Sequence, residues 1–109
     1  MAIRSCRDKR TASFMAGERV REFEAFGFQA VKAIAKLQTA PRLVDLRNPP
    51  SNRFEALGGD RTGQYSIRIN AQWRLCFRWA PTSERQPDTD LQLEPGEPYD
   101  VEITDYHKG

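Results

Sequence analysis

Three arginines, Arg68, Arg74 and Arg78, lie at even-numbered positions in two segments whose odd-numbered residues are apolar. In extended chains this alternation places the arginines on one face of a sheet. Guanidinium groups bind phosphate with paired hydrogen bonds and stay charged, which suits a nucleic-acid backbone or a phosphoryl transition state. The alternative is an ion-pair ladder with Asp100 and Glu102. We favour the ladder for Arg78 and the anion site for Arg74, which lies near a turn.

A second reactive set, Asp105, Tyr106 and His107, directly follows the last predicted strand. General acid–base catalysis needs groups whose pKa can be set near neutrality, and histidine is the easiest to adjust. Glu55 is a further carboxylate that could lie across the sheet from them. Spacing alone identifies no reaction here, because a lone histidine is usually incidental. The sequence has no zinc-ligand pattern, no phosphate-binding glycine loop and no nucleophile elbow.

A β-hairpin over residues 65–79 must position the arginines. A two-residue loop would set Ile69 opposite Arg74 and mix the two faces, whereas a three-residue loop over 70–72 keeps all apolar residues together. A slip of one residue would turn every side chain over, so burial predicts the odd loop. The pairs expected are Ile69 with Trp73, Ile67 with Leu75, and Tyr65 with Phe77.

The remaining elements follow from periodicity and from Gly and Pro positions. Two N-terminal helices packed on a small twisted antiparallel β-sheet would form one α+β domain over residues 1–109. We expect the connection over 80–98, which is rich in proline, to be irregular and either mobile or ordered by a partner. The predictions are a short edge strand over 2–5, a helix over 9–15 between Asp8 and Gly17, a helix over 22–39 ended by Pro41, a further turn over 42–46, a strand over 53–57, and a last strand over 99–105.

The composition is typical of one soluble domain: 109 residues, 39% of them hydrophobic and 29% charged. No apolar run approaches the roughly 18 residues of a membrane span. The opening residues Met-Ala-Ile-Arg-Ser-Cys lack the apolar stretch of a signal peptide, so we expect a cytoplasmic protein without a membrane partner. Cys6 and Cys76 show no metal-ligand spacing, and we expect reduced thiols.

Charge is distributed unevenly along the chain. Residues 1–80 carry 15 Lys and Arg against 7 Asp and Glu, whereas residues 81–109 carry 2 against 8. A basic body of this kind is typical of proteins with a polyanionic partner. Alternatively, the acidic C-terminal part folds back and neutralises it, and both can hold together.

A series of short motifs, in a fixed order, covers nearly the whole chain. They are Asp45-Leu46-Arg47, Pro49-Pro50, Asn52-Arg53, Glu55-Ala56-Leu57, Gly59-Asp60-Arg61, Gly63-Gln64, Ser66-Ile67-Arg68-Ile69-Asn70, Gln72-Trp73-Arg74, Cys76-Phe77-Arg78-Trp79, and Tyr99-Asp100-Val101-Glu102-Ile103-Thr104-Asp105-Tyr106-His107. This set resembles the HigB-type toxins, the plasmid maintenance system killer branch of the RelE/ParE toxin superfamily. The chain departs from that pattern at Gly58, where relatives often carry lysine, at Glu55, where some carry histidine, and in its longer connection over 80–98.

The resemblance implies a RelE-like fold and a toxin that cleaves mRNA in the ribosomal A site. It implies a HigA-type helix-turn-helix antitoxin, through which alone the toxin meets operator DNA. No metal or cofactor is implied, because the 2′-hydroxyl of the RNA attacks the adjacent phosphate and leaves a cyclic phosphate. Two other functions stay open: a non-enzymatic gyrase inhibitor resembling ParE, and a weakened toxin that acts with its antitoxin as a corepressor.

The resemblance also implies a role for each candidate site residue. Arg74 would stabilise charge on the phosphate. Asp105 and His107 would transfer protons, and Tyr106 would position or stack on a base. Glu55 is the further candidate catalytic carboxylate. The residues expected to hold the RNA backbone are Arg53, Arg61 and Arg68.

Overall fold

A four-stranded antiparallel sheet in the order β1-β2-β3-β4 lies at the centre of the computed structural model, which describes residues 3–82 and 90–105. The alternating apolar residues of the hairpin drive its formation, because each strand can bury one full face. The strands are β1 (Glu55–Ala56), β2 (Tyr65–Arg68), β3 (Arg74–Pro81) and β4 (Gly96–Thr104).

The predicted hairpin register is confirmed. Tyr65 pairs with Phe77 and Ile67 with Leu75, and the amide of Ile69 donates to the carbonyl of Trp73. The loop holds its shape because the Asn70 side chain accepts hydrogen bonds from the amides of Gln72 and Trp73. Asparagine is common in turns for this reason.

One helix, rather than two, packs across the sheet. The long helix α2 spans Gly27–Thr39 and buries Ala30, Ala33, Ile34 and Leu37. The helix before it, α1, spans Lys9–Met15 as predicted, but it is only seven residues long. It lies at the edge of β4, where the Thr11 hydroxyl accepts the amide hydrogen of Ile103. The expectation of two helices packed on the sheet is therefore wrong.

Local geometry at the helix ends agrees with the sequence in part. Gly17 follows α1 with a φ of +88°, a conformation that favours glycine. Asp8 precedes α1, but its side chain makes no capping hydrogen bond. The start of the predicted helix over 22–39 is a 3-10 helix over Arg21–Phe26, and the α-helix begins at Gly27. The further turn predicted over 42–46 is present as a 3-10 helix over Leu43–Arg47.

Two features of the last strand differ from the prediction: the residue at which it begins and the face on which Tyr99 lies. The strand β4 begins at Gly96, and its Pro98 pairs with Trp79 and is fully buried. A proline tolerates a strand position whose N–H is not needed, especially beside a bulge. Such a bulge lies opposite Phe77, where β4 has two residues and Asp100 adopts a φ of +57°. As a result Tyr99 leaves the core face that alternation predicts for it.

Three other predictions are corrected at the ends of the sheet. The connection over 80–98 is regular at both ends, because β3 continues to Pro81 and a 3-10 helix forms over Leu91–Leu93; residues 83–89 lie outside the described residues. The strand predicted over 53–57 is shortened to two residues. The described part of the expected edge strand over 2–5, residues 3–5, forms no strand, and an isolated parallel bridge follows between Cys6 and Val101.

The core fills the space between α2, the 3-10 helix over Arg21–Phe26 and one face of the sheet. Phe23 and Phe26 lie within it, and the partly buried Trp73 packs against both rings, with 5.0–5.8 Å between ring centroids. The opposite sheet face is the polar face, and it carries the arginines predicted from the sequence. No helix among the described residues is long and apolar enough to cross a membrane.

Candidate functional site

On the polar face of the sheet, charged side chains cover two small buried residues. Ser66 of β2 and Cys76 of β3 are paired in register and both are fully buried. They are short, so longer side chains from Arg61, Arg74 and Arg78 can lie above them. Burial raises the pKa of the Cys76 thiol to about 12, so the thiol stays neutral at physiological pH.

Arg74 is a largely buried arginine of this face whose guanidinium lacks a close partner among the described residues. It stands at the start of β3, opposite Arg68 on one side and Thr104 on the other. Only 12% of its side chain is exposed, and its nearest carboxylate oxygen, Oε1 of Glu55, lies 4.0 Å from Nη1. That distance is too long for a hydrogen bond. The buried Nε and Nη1 have no hydrogen-bond partner among the described residues, so Arg74 is ready to bind an anion.

The carboxylates predicted for the site lie at the same end of the sheet as Arg74. Glu55 projects from β1 and is about half exposed. Asp105 follows Thr104, the strand partner of Arg74, and its Oδ2 accepts a hydrogen bond from Gln72 at 2.8 Å. Its Oδ1 is buried without a partner in the described part of the chain. Tyr106 and His107 lie outside the described residues.

Arg78 is engaged in the ion pair that the sequence favoured. Its Nε lies 3.4 Å from Oδ2 of Asp100. Its guanidinium crosses Gly63, where an added Cβ would stand 2.7 Å from Nη1. Gly63 therefore makes room for Arg78, and Arg78 has a structural partner that Arg74 lacks.

Arg61, predicted to bind RNA, is held on the polar face by internal contacts. Its Nη1 donates to Oε1 of Gln64 at 3.1 Å and to Oε1 of Glu102 at 3.2 Å. Of the ion-pair ladder considered from the sequence, the Arg78–Asp100 pair is present. Glu102 pairs instead with Arg61, which the sequence did not place in the ladder. Neither carboxylate pairs with Arg74.

The two other predicted RNA-binding arginines are exposed. Arg68 ends β2 and lines a cleft beside α2. Arg53 follows the 3-10 helix over Pro50–Asn52 in a left-handed conformation, with a φ of +50°. Both lie outside the ion pairs of the described residues, so both can bind a solvent-exposed strand.

Comparison with known proteins identifies the family. A family model described as RelE-like toxin of type II toxin-antitoxin system HigB matches residues 14–92. The chain belongs to this family. The matched range includes Glu55, Arg61, Arg68 and Arg74, and it ends before Asp105.

Individual relatives of this HigB-like chain match over shorter stretches. Toxin HigB-1 of Vibrio cholerae serotype O1 is 54% identical over 43 residues, which are 39% of this chain and 45% of that protein. An uncharacterized protein of Haemophilus influenzae is 34% identical over 59 residues, 54% of this chain and 54% of that protein. The chain thus spans about half the length of these curated relatives.

A solved structure, the YoeB/ParE toxin from Agrobacterium tumefaciens, aligns with 95% of this chain and 99% of its own. It is 16% identical, and the TM-score is 0.48.

Sequence reasoning missed two polar residues that shape the site of this HigB-like chain. Gln64 is buried and holds Arg61, while its Nε2 has no partner among the described residues. Gln72 holds Asp105 across the sheet from the hairpin loop. Both stand within the motifs Gly63-Gln64 and Gln72-Trp73-Arg74, but nothing in a single sequence distinguishes a buried glutamine from a surface one.

Proposed function

We propose that this chain is the toxin of a type II toxin–antitoxin system and a ribosome-dependent mRNA endonuclease. The observation that carries the proposal is the buried guanidinium of Arg74, whose Nε and Nη1 have no hydrogen-bond partner among the described residues. Leaving buried donors of a charged group unpaired costs about 1–3 kcal/mol or more. A phosphate that accepts these hydrogen bonds removes that cost and gains the charge interaction.

The proposed reaction is an in-line attack within the RNA. The 2′-oxygen forms a bond to the adjacent phosphorus, and the bond from phosphorus to the 5′-oxygen breaks. One proton leaves the 2′-hydroxyl and one is delivered to the 5′-oxygen, which leaves a 2′,3′-cyclic phosphate and a 5′-hydroxyl. Negative charge increases on the phosphate oxygens in the transition state, where a fixed guanidinium is most effective.

The other candidate residues are proposed to transfer protons, to position a base or to bind the RNA backbone. Asp105, with one buried carboxylate oxygen lacking a partner among the described residues, and His107 are the proposed proton-transfer groups, and Tyr106 is proposed to position or stack on a base. Glu55 lies near Arg74. Its carboxylate is proposed to orient the Arg74 guanidinium or to act as a proton acceptor in the reaction. The residues proposed to hold the RNA backbone are Arg53, Arg61 and Arg68.

The proposed partners are a HigA-type helix-turn-helix antitoxin, the ribosome and its mRNA, with operator DNA bound only through the antitoxin. The family description supports an antitoxin partner by its naming of a toxin–antitoxin system. The basic character of residues 1–80 supports an acidic or polyanionic partner.

The test is to induce the full chain in a sensitive bacterial host and to map mRNA 5′ ends soon afterwards. We expect new ends within translated codons. Arg74→Ala should lower the cleavage rate by about 10²–10³-fold, the cost of removing one transition-state donor. Arg19→Ala is the matched control, because Arg19 is 81% exposed and lies outside the polar face.

Each outcome of this experiment has a defined meaning. Growth arrest without new mRNA ends would contradict the nuclease function and favour a gyrase-type inhibitor. Absence of arrest would favour the corepressor role. Cleavage that Arg74→Ala and Arg19→Ala reduce equally would remove Arg74 from the site. His107→Ala and Asp105→Ala, assayed in parallel, test the proposed proton-transfer groups.

A further inference from the structure

A cleft between α2 and β2 contains positive charge that the proposed function uses only through Arg68. It has a volume of about 140 Å³ and is lined by Gln29, Lys32, Ala33, Lys36, Ser51, Arg68 and Ile69. Three of these residues are cationic and none is acidic. No carboxylate of the described residues lies within ion-pair distance of Lys32, Lys36 or Arg68.

One lysine of the cleft, Lys36, is held in place by a hydrogen bond. The ammonium of Lys36 donates to Oδ1 of Asn52 at 2.7 Å, and Asn52 is itself buried and bonded to the carbonyls of Leu46 and Asn48. An ammonium has three donors, so Lys36 retains two for a ligand. Lys32 lies one helical turn earlier, on the same side of α2. The site is therefore partly preorganised for an anion.

The cleft adjoins the candidate active site through Arg68. Arg68 lines the cleft and is the strand partner of Arg74. Partners in an antiparallel pair have Cα atoms about 4.5–5.5 Å apart. A chain of phosphates that places one group on Arg74 can thus continue past Arg68 toward the lysines.

An exposed aromatic ring stands beside the same cleft. Phe28 is 75% exposed, and its ring centroid is 5.6 Å from the Lys32 ammonium. Single-stranded RNA is commonly bound by cations that hold phosphates and aromatic rings that stack on bases. These observations favour RNA, because its phosphates would bind the cations and a base would stack on the flat ring.

We infer that this cleft is a second RNA-backbone site, in which Lys32, Lys36 and Arg68 bind a phosphate next to the cleaved one and Phe28 stacks on its base. The inference rests on the proposed function, because it assumes that the strand on Arg74 is RNA. It extends the RNA-binding surface from the sheet onto α2.

The experiment measures binding of the full chain to a single-stranded oligoribonucleotide whose 2′-hydroxyls are methylated, so that no cleavage occurs. Fluorescence anisotropy is recorded over a range of salt concentrations. Each neutralised phosphate contributes about 0.7 to the slope of log K against log salt for single strands. Lys32→Gln with Lys36→Gln should therefore lower the slope by about 0.7 and weaken binding about tenfold at low salt.

Two further variants separate charge from stacking. Phe28→Ala should weaken binding about fivefold or more without changing the salt slope, because stacking involves no counterion release. Lys9→Gln with Arg19→Gln removes the same charge elsewhere on the surface and should leave both quantities unchanged. Thermal unfolding of each variant establishes that the fold is retained.

Equal effects of the two double variants would overturn the inference, as would failure of the wild-type chain to bind the oligonucleotide at low salt. It would also be overturned if the cleft variant bound RNA normally and lost its antitoxin, since the cleft would then be a protein site. The proposed function is judged separately, by Arg74-dependent cleavage in cells. If the toxin cleaves mRNA but RNA binding does not depend on the cleft, the second RNA-backbone site is wrong and the proposed function stands.

Discussion

At the residue scale, the buried guanidinium of Arg74 has fewer hydrogen-bond partners among the described residues than that of Arg61. Its buried Nε and Nη1 lack hydrogen-bond partners in the described part of the chain, whereas the similar Arg61 donates to Gln64 and Glu102. Active sites often keep such groups because the ligand completes them. The two arginines therefore form a natural pair for comparison.

Arg74→Met should leave the free energy of unfolding unchanged or raise it by about 1 kcal/mol, because it removes unpaired buried donors. Arg61→Met should lower it by about 1–3 kcal/mol, since Gln64 and Glu102 then lose their partner. Urea unfolding followed by tryptophan fluorescence measures both. A larger loss for Arg74→Met than for Arg61→Met would mean that the Arg74 site is already satisfied.

Cys76 provides a prediction about pH. Its pKa is raised from 9.0 to about 12, first by burial. Because the folded value exceeds the unfolded one, the neutral thiol contributes its full stabilisation below pH 9, and that contribution is lost as the pH rises toward 12. At pH 8 iodoacetamide should modify half-exposed Cys6 and spare Cys76 until denaturant is added, as read by peptide mass spectrometry. Rapid native modification of Cys76 would contradict its burial.

At the element scale, the turn before β2 and the side chains of β3 depend on each other. Gly63 has a φ of +92°, and a Cβ there would meet the Arg78 guanidinium at 2.7 Å. The turn conformation and the Arg78–Asp100 ion pair therefore share one requirement, the absence of a side chain at residue 63.

Gly63→Ala should lower the free energy of unfolding by about 1–2 kcal/mol or more, through backbone strain and displacement of Arg78. Gly58→Ala is the matched control, because Gly58 has a negative φ and nothing within 4 Å of an added Cβ. It should be neutral or slightly stabilising. Thermal unfolding decides the comparison, and equal effects would show that Arg78 adapts without cost.

At the scale of the whole molecule, the acidic C-terminal part folds back on the basic body, as one of the two charge hypotheses stated. Among the described residues, three ion pairs join the two parts: Arg4–Glu97, Arg61–Glu102 and Arg78–Asp100. The basic side chains of the cleft beside α2 are left without carboxylates of the described residues. Folding and RNA binding should therefore respond differently to salt.

Raising the salt concentration from about 50 mM to 1 M should change the free energy of unfolding by less than about 1 kcal/mol, because partly exposed ion pairs contribute little. RNA affinity should fall by orders of magnitude over the same range. Glu97→Gln, which removes the most exposed of the three pairs, should alter stability by less than about 0.5 kcal/mol. Strong salt dependence of unfolding would mean that the ion pairs, rather than the core, hold β4 in place.

Much of the fold and part of the site could be predicted from the sequence. Alternation within 65–79 determined the hairpin register and the shared face of Arg68, Arg74 and Arg78, because strand periodicity is encoded within one continuous segment. Gly17 and Pro41 likewise marked the ends of helices locally. The ordered motifs from Asp45 to His107 were by themselves sufficient to indicate the toxin family.

Only the tertiary structure decided which arginine is available to a ligand. Arg61 and Arg78 obtain carboxylates from β4, a strand separated from β3 by a long connection, and the bulge at Asp100 sets which side chains of β4 face them. The same bulge turned Tyr99 out of the core. Pairing between distant strands depends on register and packing that no local pattern encodes, and this is why the lack of hydrogen-bond partners for Nε and Nη1 of Arg74 among the described residues is seen only in the folded chain.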